Sequence, residues 1–299
     1  TKDGRGYNLL HLNALYDLES QLFLDAVIQN GREEHESRAL VELVDRSELT
    51  EPVILIADRG YEAYNNIAHI EQKGWNYLIR VKEKQGILSG LNLPDTPEFD
   101  ARFSYSLSKR LTNRICTEPQ KYRWLPNKVQ FDYIRDASDD LYLLSFRVVR
   151  FLVKEDLYET VITNLPEARF PPSLLRMLYH KRWGIETAFR DLKYTLALTH
   201  FHAKKRSFIM QEIFSKMTLY NFASLLRLHT KFVQPKGKYF YRVNAAFAAH
   251  IAQGFLLGFV PAVNVEALIA SLLLPIRPDQ HKPRNMRVKH PACFQYRMI

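Results

Sequence analysis

Cysteine is scarce in this chain. Only Cys116 and Cys293 occur among 299 residues, and there is no Cys-x-x-Cys pair. That argues against a structural zinc site of the usual spacing and fits a reducing compartment. The ten histidines form no His-Glu-x-x-His or comparable ligand spacing, so the common metallohydrolase pattern is missing too. No signal peptide is seen. The longest apolar stretch, residues 245–274, is broken by His250, Gln253, Pro261, Asn264 and Glu266. It reads as buried helices, and no membrane partner is expected. Internal repeats and low-complexity segments are lacking as well.

Acidic residues are in deficit. Lys and Arg number 42 against 32 Asp and Glu, a net charge of +10. Such a surplus favours a polyanionic partner, nucleic acid first, although many basic proteins bind nothing anionic. Hydrophobic residues at 46% and charged residues at 25% match a globular chain with a sizeable core. The length allows one large domain or two ordinary ones.

The pattern along the chain is mixed. Tyr7 to Tyr16 and Leu22 to Gln29 are rich in strand formers, with Asp17-Leu18-Glu19-Ser20 between them. They predict an antiparallel hairpin. A helix is expected over Glu33 to Asp45, where Leu40, Val41 and Val44 recur at helical spacing. Val53 to Ala57 is a short continuous apolar run, typical of a strand buried on both faces. Asp58-Arg59-Gly60-Tyr61 ends it, a helix follows over Glu62 to Lys73, and Tyr77 to Val81 is a further strand.

From residue 86 to 157 aromatics alternate with Arg and Lys in strand-like segments: Phe103 to Leu107, Val129 to Ile134 and Leu141 to Val153. This reads as a β-rich insertion. Tyr158 to Asn164 is again a buried-type strand. Pro171-Pro172-Ser173 opens a long helix with Ser173 as its N-cap. Ile209 to Leu228 and much of residues 245–273 continue helical, and the tail from Arg277 is basic. The organisation expected is residues 1–85 and 158–299 as two parts of one α/β core, with residues 86–157 inserted. That order suggests a mixed sheet with an antiparallel edge and flanking helices.

The sharpest chemical signal lies in the long helix. Tyr179, Arg182, Glu186 and Lys193 stand at offsets of 0, 3, 7 and 14. At about 100° per residue they fall within an arc of roughly 60°, and Arg190 joins the same face. One carboxylate is thereby flanked by cations and a phenol. Ordinary (i, i+4) pairs on a solvated face give the same pattern. A metal-binding carboxylate bracketed by phosphate-binding groups gives it too, since Arg forks onto phosphate, Lys supplies a point charge and Tyr donates a hydrogen bond.

Asp58 is the second signal. It follows a buried strand, where functional groups of open α/β sheets gather, although an N-cap or turn Asp occupies such a place equally well. Two carboxylates so placed suit phosphoryl transfer with two Mg²⁺ ions about 3.5–4 Å apart. Carboxylate oxygens suit Mg²⁺ or Mn²⁺. Two ions usually need three or more carboxylates, so a third is expected elsewhere.

Tyr-(2)-Arg-(3)-Glu-(6)-Lys, filled by Tyr179, Arg182, Glu186 and Lys193, resembles the YREK signature of bacterial insertion-sequence DDE transposases. The segment IADRGY around Asp58 resembles their second-Asp motif. LNALYD (Leu12 to Asp17), VITNLP (Val161 to Pro166) and the closing IRP…PR…YR are also similar. The resemblance covers nearly the whole chain. It implies an RNase H-like core with a β-rich insertion, and catalysis by Asp58 and Glu186 as metal ligands. It implies Mg²⁺ or Mn²⁺ as cofactor, and phosphate contacts from Tyr179, Arg182 and Lys193. It further implies cleavage of transposon ends, strand transfer into target DNA, and a homodimer holding two ends in a synaptic complex. A bacterial cytoplasmic protein, at the nucleoid when on DNA, is expected.

Such a fold places its first catalytic Asp on its first strand. Only two strands precede Glu33, and Asn13 occupies the middle of the first. The first strand and its Asp are therefore expected upstream of Thr1, with Asp17 and Asp25 as fallbacks and Asp3 in a connecting loop. A chain without that Asp binds DNA and cleaves poorly, which makes a truncated or repurposed DNA-binding remnant the alternative reading. A non-transposing nuclease of the same fold is a third. Trp124 sits among Lys121, Arg123 and Tyr122; it either packs the insertion core or stacks on a base, as related enzymes do with an insertion aromatic. Trp183 and Phe189 read as packing. Lys204-Lys205-Arg206 reads as a solvated turn, and the tail cations Arg277, Lys282, Arg284, Arg287 and Lys289 as a non-specific DNA contact or a disordered end.

Overall fold

The hairpin expected near the start of the chain is present in the computed structural model, which describes residues 10–31, 35–83 and 86–277. β1 (Leu10–Asp17) pairs antiparallel with β2 (Leu22–Asn30). The turn closes because the Asp17 carboxylate accepts the backbone N–H groups of Glu19 at 3.0 Å and Ser20 at 3.2 Å. Gln21 then takes a left-handed backbone, φ 57°. Burial pushes the Asp17 carboxyl up, but the bonds from Ser20 and Glu19 outweigh it and hold it below the ordinary carboxylate range. As a fallback metal ligand Asp17 is thus already engaged in closing a turn. Asp3 and the tail beyond Arg277 lie outside the described residues.

The chain divides into two units, Glu33–Arg182 and Thr1–Arg32 with Trp183–Ile299. The first is built on a sheet. Its elements are α1 (Glu36–Arg46), β3 (Ile54–Ala57), α2 (Tyr64–Gln72), β4 (Asn76–Arg80), β5 (Phe99–Ser108), α3 (Asn113–Thr117), β6 (Tyr122–Trp124), β7 (Leu141–Lys154), β8 (Leu157–Thr163) and α4 (Pro172–Lys181). The strand order is β3-β4-β8-β7-β5-β6. β3/β4 and β5/β6 are parallel and the other neighbours antiparallel. A six-stranded mixed sheet flanked by helices is consistent with an RNase H-like fold, as the sequence led us to expect. Strands β5 to β7, from the segment 86–157, extend the same sheet that β3, β4 and β8 begin.

Strand alternation sorts the side chains. Ile54, Ile56, Leu78, Val161, Val149 and Phe151 form one cluster with Leu175, Leu178 and Tyr179 of α4. The residues between them, Leu55, Tyr77, Ile79, Ile162 and Val148, are buried as well. Both faces are covered, which is why β3 and β8 read as apolar runs. A fully buried leucine such as Leu175 contributes about 1.5–3 kcal/mol.

Two expectations change here. Residues 129–134 are not a strand: Phe131 and Ile134 are buried singly. Asp132 between them ties the loop to α2, its N–H donating to Asn65 Oδ1 at 2.9 Å and its carboxylate lying 3.0 Å from His69 Nε2. Side-chain anchoring has replaced ladder pairing. The long helix opening at Pro171 is also divided. Pro171, not Ser173, holds the N-cap position, and α4 ends with Arg182 as its C-cap before α5 (Trp183–Tyr194) begins. Gly184, a weak helix former, is the second residue of α5.

In the other unit, β1, β2 and α5 precede α6 (Arg206–His229), β9 (Phe240–Val243), α7 (Ala245–Leu256), α8 (Val265–Ser271) and β10 (Leu273–Ile276). Ile209, Ile213, Met217 and Tyr220 recur at helical spacing on α6 and pack with Phe23, Ala26, Ile28, Ala188 and Leu192. Asn221 fixes the hairpin to α6, accepting from the Phe23 N–H at 2.9 Å and donating to its carbonyl at 2.8 Å. A Cβ on Gly184 would lie 2.9 Å from Leu18 Cδ2, so the missing side chain lets α5 approach the hairpin turn. Among the described residues no helix is long and apolar enough to cross a membrane.

Candidate active site

The sheet unit gathers charge at one end. β3 and β4 run parallel, with Ala57 opposite Ile79, so Asp58 and Arg80 leave the sheet at the same edge. β8 runs antiparallel to β4, with Val161 opposite Arg80. Glu159, two residues earlier, therefore reaches that edge on the face of Val161. By alternation this is the face covered by α4, whose Tyr179 enters the cluster beneath. The result is a polar corner where an apolar layer ends.

Asp58 is half-buried and caps the short turn Arg59–Tyr61, its Oδ1 accepting the Arg59 N–H at 2.7 Å. The turn-capping reading of Asp58 therefore holds. At Gly60 a Cβ would run into the Glu36 carboxylate, so this glycine admits the first turn of α1. Burial first, then the charges of Glu36 and Asp58, push the Tyr61 hydroxyl up to about 12.

Tyr179 is 4% exposed, and its hydroxyl has no hydrogen-bond partner among the described residues. Burial raises its pKa, and so do the charges of Asp58 and Glu159, while Arg182 and Arg80 pull the other way. Arg182 lies over the ring, 5.6 Å from its centroid. Arg80 Nη1 pairs with Glu159 Oε1 at 3.4 Å. The charges of two carboxylates and two guanidinium groups thus act on this phenol. Sequence reasoning found Asp58, Tyr179 and Arg182 and missed Arg80 and Glu159. They appear in the sequence only as charged ends of buried strands, NYLIR and LYETVIT.

Glu186, Arg190 and Lys193 belong to the other unit. All three are exposed on α5, at spacings of four and three, along one side of the stripe of Ile185, Ala188, Phe189 and Leu192 that packs the core. Glu186 lies in the first turn and Lys193 in the last, the order the helix dipole favours. Division of the helix at Arg182 means the shared face holds for these three within α5 and for Tyr179 within α4. Trp183 is 55% exposed, whereas Phe189 packs against the core.

Trp124 is 41% exposed on the edge strand β6, so it does not fill an insertion core. Five strand steps separate β6 from β3, roughly 24 Å at the usual spacing, so Trp124 is not part of the polar corner. Lys204, Lys205 and Arg206 are exposed at the start of α6, as a solvated turn requires. Among the described residues no group of three or more His, Cys, Asp or Glu stands where it could hold a metal ion. The half-buried Asp58 carboxylate is a hard oxygen donor at a strand end, which fits an oxygen-ligated divalent ion.

No curated protein matches the chain. A family model described as Transposase DDE domain matches residues 1–222, a span that includes Asp58, Tyr179, Arg182, Glu186 and Lys193.

Proposed function

The chain belongs to the Transposase DDE domain family, and from that membership we propose that it cleaves DNA phosphodiesters at transposon ends and joins them to target DNA. The family is one of DNA-acting enzymes that generally use divalent metal ions. The observation that carries the reading for this chain is the polar corner: a carboxylate at a buried strand end, an unpartnered buried phenol and two guanidinium groups at one edge of the sheet.

Asp58 and Glu186 would hold the metal ions, Mg²⁺ or Mn²⁺. When bound, such ions activate the attacking oxygen and stabilise the leaving one. The chain's own groups do the rest. Arg182 and Arg80 supply charge-assisted hydrogen bonds to phosphate oxygens. The Tyr179 hydroxyl donates to an oxygen and so satisfies a group that is otherwise buried without a partner. Lys193 and Arg190 on the exposed face of α5 attract the backbone as charges. Trp124, exposed on its edge strand, offers a stacking surface that accepts any base. A homodimer with two DNA ends completes the proposal.

The test is Glu186→Gln. Strand cleavage should be lost and DNA binding kept. Cleavage that survives the change removes Glu186 from the metal-binding role.

A further inference from the structure

Arg80 is the last residue of β4 and leaves the sheet on a long flexible stem. The charges of two carboxylates, Asp58 and Glu159, act on the neighbouring Tyr179. The guanidinium lies with Glu159, at 3.4 Å. The side chains of this pair are 32% and 19% exposed, and an ion pair so open to water adds little stability. Its consequence is orientation. A guanidinium held by one nitrogen keeps its remaining donors for another anion. The backbone beyond is fixed separately, since the Lys82 N–H donates to Glu62 Oε2 at 3.0 Å and the Thr160 hydroxyl donates to Glu83 Oε1 at 3.2 Å. Glu159 is therefore free of any duty in closing the strand end. The unpartnered Tyr179 hydroxyl marks the place where an acceptor oxygen would sit.

We propose that Glu159 is a positioning residue: it holds Arg80 extended toward a phosphate of bound DNA, next to the Tyr179 hydroxyl. The proposal rests on the DNA-binding reading above and adds the residue that orients its cation. Glu159 itself touches no phosphate, because like charges repel.

The experiment is a double-mutant cycle on the full chain, with a short synthetic DNA duplex of arbitrary sequence as probe. Binding is measured by fluorescence anisotropy over a salt series, and folding by thermal melts. Arg80→Ala should flatten the slope of log affinity against log salt by about one. Glu159→Ala should flatten it by the same amount, although it removes a negative charge. The double variant should lose about one and not two. Glu159→Gln keeps an acceptor for the guanidinium and should fall between wild type and Glu159→Ala; it carries the test if the alanine variant does not fold.

Tighter binding by Glu159→Ala with an equal or steeper slope makes Glu159 a plain repulsive charge and overturns the proposal. So does additivity in the double variant, or a lowered melting temperature with an unchanged slope. A wild-type chain that ignores the duplex fails at an earlier point: it overturns the DNA-binding reading, and the positioning role falls with it.

Discussion

The Arg182 guanidinium lies over the Tyr179 ring, 5.6 Å from its centroid, where α4 ends. A cation so placed is attracted by the ring face and is brought to the corner that holds Asp58, Arg80 and Glu159. The two residues are three apart in sequence, so a single helical turn delivers both. Arg182→Ala should weaken duplex DNA binding and flatten its salt dependence by about one unit of slope. An unchanged slope would assign Arg182 to helix packing alone.

Tyr179 separates stability from function. Its hydroxyl is buried without a partner among the described residues, and such a group costs roughly 1–3 kcal/mol of desolvation. Tyr179→Phe should therefore leave stability to urea unchanged or raise it, while weakening DNA binding. A loss of stability of about 1 kcal/mol or more would mean that the hydroxyl already has a structural partner.

Glu71 gives a pH prediction. Burial raises its carboxyl from 4.5 to about 7, against a hydrogen bond from the Tyr77 hydroxyl that lowers it. The folded state thus binds the proton more tightly than the unfolded one. The contribution of Glu71 is fully present below 4.5 and is lost as pH rises through about 7. Glu71→Gln should flatten stability across that window and raise it on the alkaline side, as read by urea melts at several pH values. A pH profile identical to wild type contradicts the assignment.

Continuous apolar runs carried much of the sheet. Val53 to Ala57, Tyr77 to Val81 and Tyr158 to Asn164 were legible because strands buried on both faces leave continuous apolar runs. Residues 129–134 misled because Phe131 and Ile134 are buried without a ladder, held through Asp132 by Asn65 and His69. That anchoring depends on partners more than sixty residues away, which no local pattern records. The helix from Pro171 looked continuous because an αR residue such as Arg182 leaves no mark in hydrophobic spacing.

At the site, Asp58, Tyr179 and Arg182 were visible through spacing and motif. Arg80 and Glu159 were not, because their meeting depends on antiparallel pairing of strands whose partner residues, Arg80 and Val161, are far apart in sequence. Trp124 illustrates the opposite case. Its basic surroundings were plain in the sequence, whereas its exposure on an edge strand was decided by sheet order.

The most direct measurement is metal-dependent cleavage of a DNA duplex carrying the sequences that flank the gene, for the full-length gene product and for its Asp58→Asn variant. The account predicts strand cleavage with Mg²⁺ in the wild type, none with Asp58→Asn, and comparable DNA binding by both. Cleavage by Asp58→Asn at the wild-type rate, or cleavage indifferent to divalent metal, would contradict it.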